Sequence, residues 1–218
     1  VVLVVLVVFI VALPIQGLSG LFGQLSVAAT LLAMTAASAT LITTAIDQSD
    51  ADATQSPLLA LATQALALIL PVPAGLAAYS VWLRVDQYGW TPDRLFAALM
   101  TIFAMGYGVL YAVAVVRRSG WMARIRQGNV IMALSGVAVA ALWLTPVLNA
   151  ERISASDQLA RYQSGRTSIP ALDISQFGDW GIAGADARTA LEALAKEPGQ
   201  EALATALASA AVVPPDFT

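Results

Sequence analysis

Four charged side chains, Arg84, Asp86, Asp93 and Arg94, lie within one eleven-residue stretch, RVDQYGWTPDR. Guanidinium groups meet phosphate as planar forks of N–H donors, so two of them beside two carboxylates suit a phosphate-bearing lipid or envelope substrate. The same four groups equally suit exposed ion pairs, each worth about 0–1 kcal/mol. Tyr88 and Trp90 are amphipathic rings of the kind that collect at a membrane–water boundary. Arg84 and Arg94 have stems long enough to reach headgroups from helix ends. Arg84, Asp86, Tyr88 and Arg94 therefore form a candidate functional turn, with an anchored interfacial turn as the structural alternative.

Three other clusters carry polar chemistry. Pro71 and Pro73, within LPVPAG (70–75), delete two helical N–H donors in the middle of a long apolar run. Broken helices at membrane depth often mark transporter substrate sites, which makes the two prolines a candidate broken-helix site; proline is also commoner in membrane helices generally. Asp47, Asp50 and Asp52 lie in DQSDADATQS (47–56) with no basic residue. That loop lacks the glycine and terminal glutamate of an EF-hand and reads as solvated rather than cation-binding. RRSGWMARIRQGN (117–129) carries Arg117, Arg118, Arg124 and Arg126 and no acid. With Trp121, Met122 and Ile125 interleaved, it reads as a short interfacial amphipathic segment on anionic lipid.

Composition restricts the chemistry further. The 218 residues include neither cysteine nor histidine. Disulfides, thiol nucleophiles, Cys/His metal sites, iron–sulfur clusters, histidine-ligated haem and a histidine general base are thereby excluded. No catalytic, cofactor-binding or metal-binding residue is assigned, and a net charge of −3 argues against nucleic acid as a partner.

These clusters are spaced by apolar runs. The chain is 58% hydrophobic and 11% charged, with a mean hydropathy of +0.75, too little polar material to solvate an ordinary globule. Residues 95–116 form an uncharged run that, at 1.5 Å per residue, spans about 33 Å against a hydrocarbon core of about 30 Å. Thr91 as N-cap and Pro92 at the first helical position start that helix, and Gly89 permits a sharp turn before it. Further spans are expected over 25–46, 57–83 and 130–148, with 1–22 as a fifth. Residues 1–13 are too short to cross alone; they extend through Pro14 to Phe22 with a kink or end an upstream span, and Gly17, Gly20 and Gly23 make the stretch after Pro14 turn-like. The absence of an initiator methionine suggests a segment cut from a longer protein. The 25–46 span is rich in Ala, Ser and Thr, which lets helices approach closely and hydroxyls bond to their own backbone or a neighbour. The expected fold is all-α: a polytopic membrane bundle of about four to five spans over 1–148, and a small, partly helical extramembrane tail over 149–218.

The positive-inside rule retains the 117–129 loop in the cytoplasm, which places the tail outside, in the periplasm. The tail holds five basic and nine acidic residues. A helix capped by Ser154 or Ser156 is expected through Gln163, then irregular chain over 166–184, a helix over 186–196 and another over 200–211. So few large apolar side chains promise a small core, docked on the membrane domain or a partner.

Two of these segments carry a resemblance. ISASDQLARYQSGR (153–166), preceded by a proline-ended helix, and YGWTPDRLFAAL (88–99) resemble recurrent segments of a bacterial polytopic inner-membrane family, domain of unknown function number four-one-five-three. Its pattern falls on Ile153, Ser154, Gln158, Leu159, Arg161, Ser164, Gly165 and Arg166, and on a Tyr-Gly-Leu-Thr-Pro-x-Arg turn in which Trp90 stands for the leucine. The resemblance implies a multi-pass bacterial protein with further spans upstream; it implies no activity and no catalytic residue.

The functional expectation is a membrane scaffold or accessory subunit of a bacterial inner-membrane assembly, in contact with lipids and other subunits. Small-residue helices and the absence of charge inside the spans favour it. The alternatives are a transporter or channel component using residues 70–75, and a lipid- or envelope-modifying enzyme using the 84–94 turn.

Overall fold

The structure, a computed structural model, describes residues 1–22, 26–47, 49, 53, 55–172 and 174–210, and all regular structure among them is helical. The helices are α1 (Val2–Phe22), α2 (Val27–Ile46), α3 (Pro57–Ile69), α4 (Pro71–Tyr88), α5 (Pro92–Val116), α6 (Trp121–Trp143), α7 (Ala150–Gln163), α8 (Gly181–Leu194) and α9 (Glu201–Ala210). Four described stretches are long and apolar enough to cross a membrane: α2, α3 with α4 (Pro57–Tyr88), α5 and α6. Only 17–33% of their most apolar windows is buried within the chain, so most of that surface faces lipid or other protein.

The helices start where local chemistry places them. Ser26 and Ser56 cap α2 and α3 through the amides of Ala29 and Leu59, and Pro57 occupies the first turn of α3. Thr91 caps α5, its Oγ1 accepting from the Arg94 amide at 3.3 Å. The hydroxyls of α2 turn back on their own helix: Thr35, Ser38, Thr40, Thr43 and Thr44 each donate to the carbonyl four residues earlier, at 2.7–2.9 Å. Thr43 alone among these also reaches another helix, at Tyr111 of α5.

The chain divides into two compact units, one of Val1–Leu83 with Phe96–Ala140 and one of Arg84–Leu95 with Ala141–Thr218. The core of the first includes Leu6, Ile42, Ile46, Leu66, Leu70, Tyr111 and Ile125. Lipid tails are as apolar as leucine, so its cohesion comes from close packing rather than from escape from water. Gly108 of α5 lies against the α3–α4 junction, where an added Cβ would come within 3.0 Å of the Pro71 backbone. The second unit has an aqueous-type core of Leu172, Ile174, Phe177, Trp180, Leu191, Leu203 and Leu207. Full burial of each large side chain there contributes about 1.5–3 kcal/mol.

Several expectations are corrected. Backbone helix continues through Pro14, Gly17 and Gly20 to Phe22; the turn expected there is absent, and Gly23 and Leu25 lie outside the described residues. The segment after Arg118 is no separate interfacial piece: a tight turn with positive φ at Arg118 and Gly120 leads straight into α6, so Arg124 and Arg126 sit on its first turns. The last long helix therefore spans 121–143 rather than 130–148, and Pro146–Leu148 is a 3-10 turn. Asn149, not Ser154 or Ser156, caps α7, its Oδ1 accepting from the Arg152 amide at 2.6 Å. Its side chain precedes the first residue free to turn helical, whereas the two serines already lie one turn inside. The stretch expected to be irregular holds 3-10 helices at Ile169–Ala171 and Ile174–Trp180 and the start of α8, because Phe177 and Trp180 anchor it in the core despite its glycines. The tail thus carries a core of its own. Asp50 and Asp52 of the acidic loop, and Ala211 at the end of the expected last helix, lie outside the described residues.

Candidate functional site

The 84–94 turn does not stand free. Helix α4 ends at Tyr88, and the last carbonyls of any α-helix have no partner within it. Gly89 closes the helix in the left-handed region (φ +74°), its amide bonded to the Val85 carbonyl at 2.8 Å. Three side chains then take up the remaining carbonyls. Arg161 of α7 donates through one terminal nitrogen to Asp86 (2.7 Å) and Gln87 (3.2 Å). Gln158 Nε2 donates to Tyr88 (2.9 Å) and Trp90 (3.0 Å). Arg94 donates to Tyr88 (3.2 Å) and Gly89 (2.9 Å). In return Asp157 Oδ2 accepts from the Trp90 amide at 2.7 Å. Two guanidinium charges thus meet the negative end of the α4 dipole, the arrangement a helix C-terminus favours.

Sequence spacing explains how α7 supplies these contacts. Gln158 and Arg161 are three apart and share one face, while Ala155 and the partly buried Leu159 and Tyr162 form the neighbouring face that packs into the tail core. At its far end, Gly165 takes φ +71° and the amides of Ser164, Gly165 and Arg166 return to the carbonyls of Ala160, Tyr162 and Arg161, closing the helix. The two segments that resemble the family pattern are therefore the two halves of one clamp, with bonds between residues about 70 positions apart. Gly89 fits because nothing else does: a Cβ there would lie 2.6 Å from Asp157 Oδ2 and 2.7 Å from both Gln158 Nε2 and Arg161 Cδ.

Of the candidate turn residues, Arg94 is committed to backbone carbonyls and Asp86 contributes its carbonyl. The guanidiniums of Arg84 (5.9 Å) and Arg94 (5.5 Å) both lie over the Tyr88 ring, two cation–π contacts. Pro73 is buried and Pro71 lies against Gly108. In the basic loop, Arg124 donates to the Ser119 carbonyl, and Arg126 to the Ile46 carbonyl (3.3 Å) at the end of α2. Among the described residues no group of three or more His, Cys, Asp or Glu could hold a metal ion.

Sequence reasoning missed Asp157, whose partner lies 67 residues away, and Asn129. Asn129 Oδ1 accepts from the Tyr111 hydroxyl at 2.5 Å, and its Nδ2 donates to Thr43 Oγ1 at 3.4 Å, a polar triad among α2, α5 and α6. The signal available for Asn129 was its place four residues past Ile125 on an apolar helix; reading it as the end of a loop concealed that.

The clamp yields a direct expectation. Replacing Gln158 by Leu leaves the Trp90 carbonyl without its bond, a loss of about 1–3 kcal/mol for a buried polar group. Amide hydrogen exchange in the peptides covering 85–95 and 153–166 should accelerate together by at least fivefold. Acceleration confined to one peptide would mean that the two halves do not depend on each other.

Long apolar helices, hydroxyls satisfied within them and charged residues gathered at their ends define a polytopic α-helical membrane protein. The chain belongs to the family described as Domain of unknown function (DUF4153), whose pattern it matches over residues 1–194. No curated protein and no solved structure gives a match.

Proposed function

We propose that this chain is a scaffold or accessory subunit of a bacterial inner-membrane assembly, with the basic turn and start of α6 (117–129) in the cytoplasm and its tail in the periplasm. The observation that carries this reading is the use made of the family-pattern residues. Thr91 and Arg94 close the turn itself, and Gln158 and Arg161 hold it against α7 at the place Gly89 leaves open. A turn so engaged serves as a structural joint, its Arg94 spent on carbonyls rather than awaiting a substrate. Broad apolar faces on the spans, such as Val130, Ile131, Leu134 and Val137 of α6, supply surface for lipid and for neighbouring subunits. The packing of Gly108 on Pro71 counts against an opening at the α3–α4 junction of the kind a transporter would need.

Gentle extraction from native membranes, sizing of the complex and mass spectrometry of co-migrating chains test the proposal. Stoichiometric co-migration with other membrane subunits is expected. Migration of this chain by itself, or with copies of itself alone, would overturn it.

A further inference from the structure

A cavity of about 810 Å³ lies between α2, α5 and α6, within the membrane-spanning unit. Its lining changes character along its length. Leu32, Met100 and Phe103 make one end apolar, while Thr43, Tyr111 and Asn129 gather at the other. The polar end lies five residues from the end of α5, about 8 Å along the helix and thus near headgroup level.

Proton accounting shows what the polar end has to offer. Tyr111 spends its one proton on Asn129 Oδ1, and one of the two Asn129 amide protons goes to Thr43. The second amide proton has no partner among the described residues. Tyr107 packs edge-on against Tyr111, with ring centroids 5.7 Å apart, and lines the same cavity. Its hydroxyl has no hydrogen-bond partner among the described residues. Among the described residues no Asp, Glu, Lys or Arg lines the cavity, so a formal charge inside it would be uncompensated at low dielectric.

Volume and lining point to the kind of occupant. The lining runs from Leu32 to Thr44 along α2, about 18 Å. The volume falls within the roughly 300–1,000 Å³ of small-molecule sites, which are mostly apolar with a few placed polar groups.

We propose that this cavity binds one long-chain amphiphile with a neutral oxygen-bearing head, an alcohol or ester. The head accepts from the Tyr107 hydroxyl and the Asn129 amide, and the chain lies along Leu32, Met100 and Phe103.

The test uses the full chain in lipid nanodiscs with a photoactivatable hexadecyl alcohol, the same-length alkane and the same-length fatty acid as probes. The alcohol should crosslink to peptides of α2, α5 and α6, be displaced by unlabelled hexadecanol, and label more strongly than either other probe. Tyr107→Phe removes one hydrogen bond and keeps the ring packing, so alcohol labelling should fall about fivefold while alkane labelling is unchanged. Ala104→Trp fills the cavity and should abolish labelling by the alcohol. Equal labelling by alcohol and alkane would overturn the head recognition, and preference for the fatty acid would overturn the neutral head. Crosslinks outside these three helices would overturn the site. Should Ala104→Trp fail to fold, the Tyr107→Phe comparison still decides.

Discussion

Gly89→Ala should release the tail unit's grip on the 84–95 turn. The backbone there has φ +74°, which costs an L-residue about 1–2 kcal/mol. The added methyl also falls on Asp157, Gln158 and Arg161. These are side-chain ends and can move, but moving them breaks the bonds to the Trp90 amide and to the carbonyls of Asp86, Gln87, Tyr88 and Trp90. A net loss of one hydrogen bond to a charged group, about 1.5–3 kcal/mol, added to the strain gives an expected total of about 3–5 kcal/mol. Amide exchange of the Trp90 segment should rise by at least a hundredfold. Gly165→Ala isolates the strain: its φ is +71° but nothing lies within 4 Å of the new methyl, so its cost should stop at about 1–2 kcal/mol. Equal effects of the two substitutions would show that backbone strain alone, and not the clamp, makes Gly89 necessary.

Gly184→Ala should also be damaging, for a different reason. Gly184 lies inside α8 with ordinary helical backbone, where alanine is normally preferred by about 1 kcal/mol. Here its Cβ would stand 1.9 Å from the Phe177 carbonyl oxygen and 3.0 Å from Trp180 Cβ. A backbone carbonyl cannot swing aside, so either α8 shifts or the 3-10 helix carrying Phe177 and Trp180 leaves the core. Overpacking typically costs about 1–3 kcal/mol and more where backbone must move. At about 4–8 °C per kcal/mol for a unit of this size, the thermal midpoint of the tail should fall by about 10–20 °C, read from tryptophan fluorescence. Gly178→Ala meets nothing within 4 Å and should leave the midpoint within about 2 °C. A midpoint for Gly184→Ala as high as that of Gly178→Ala would refute the close approach of the two elements.

Both substitutions concern features that sequence reading handled unequally. Gly89 was legible as a turn residue because it follows Tyr88 and precedes a Thr-Pro helix start, all local chemistry. Gly184 read as one more glycine in irregular chain, since helix propensity speaks against it and the carbonyl that requires it belongs to another element. The basic loop shows the same division. Its charge was plain, but whether Arg124 and Arg126 stood on a separate segment or on α6 depended on the two-residue turn at Ser119 and Gly120.

By itself the sequence determined the class of protein and most helix limits. Uncharged runs of membrane-spanning length, serine and threonine caps and proline starts act within a turn or two of the chain, so they can be read from neighbours. Only the tertiary structure decided that the 84–94 turn and α7 form one clamp, that Thr43, Tyr111 and Asn129 meet, and that a cavity opens beside them. Helical periodicity tells which face a side chain occupies but not which distant face it will meet. Pairings across about 70 residues are set by the packing of whole helices, and no local rule carries that information.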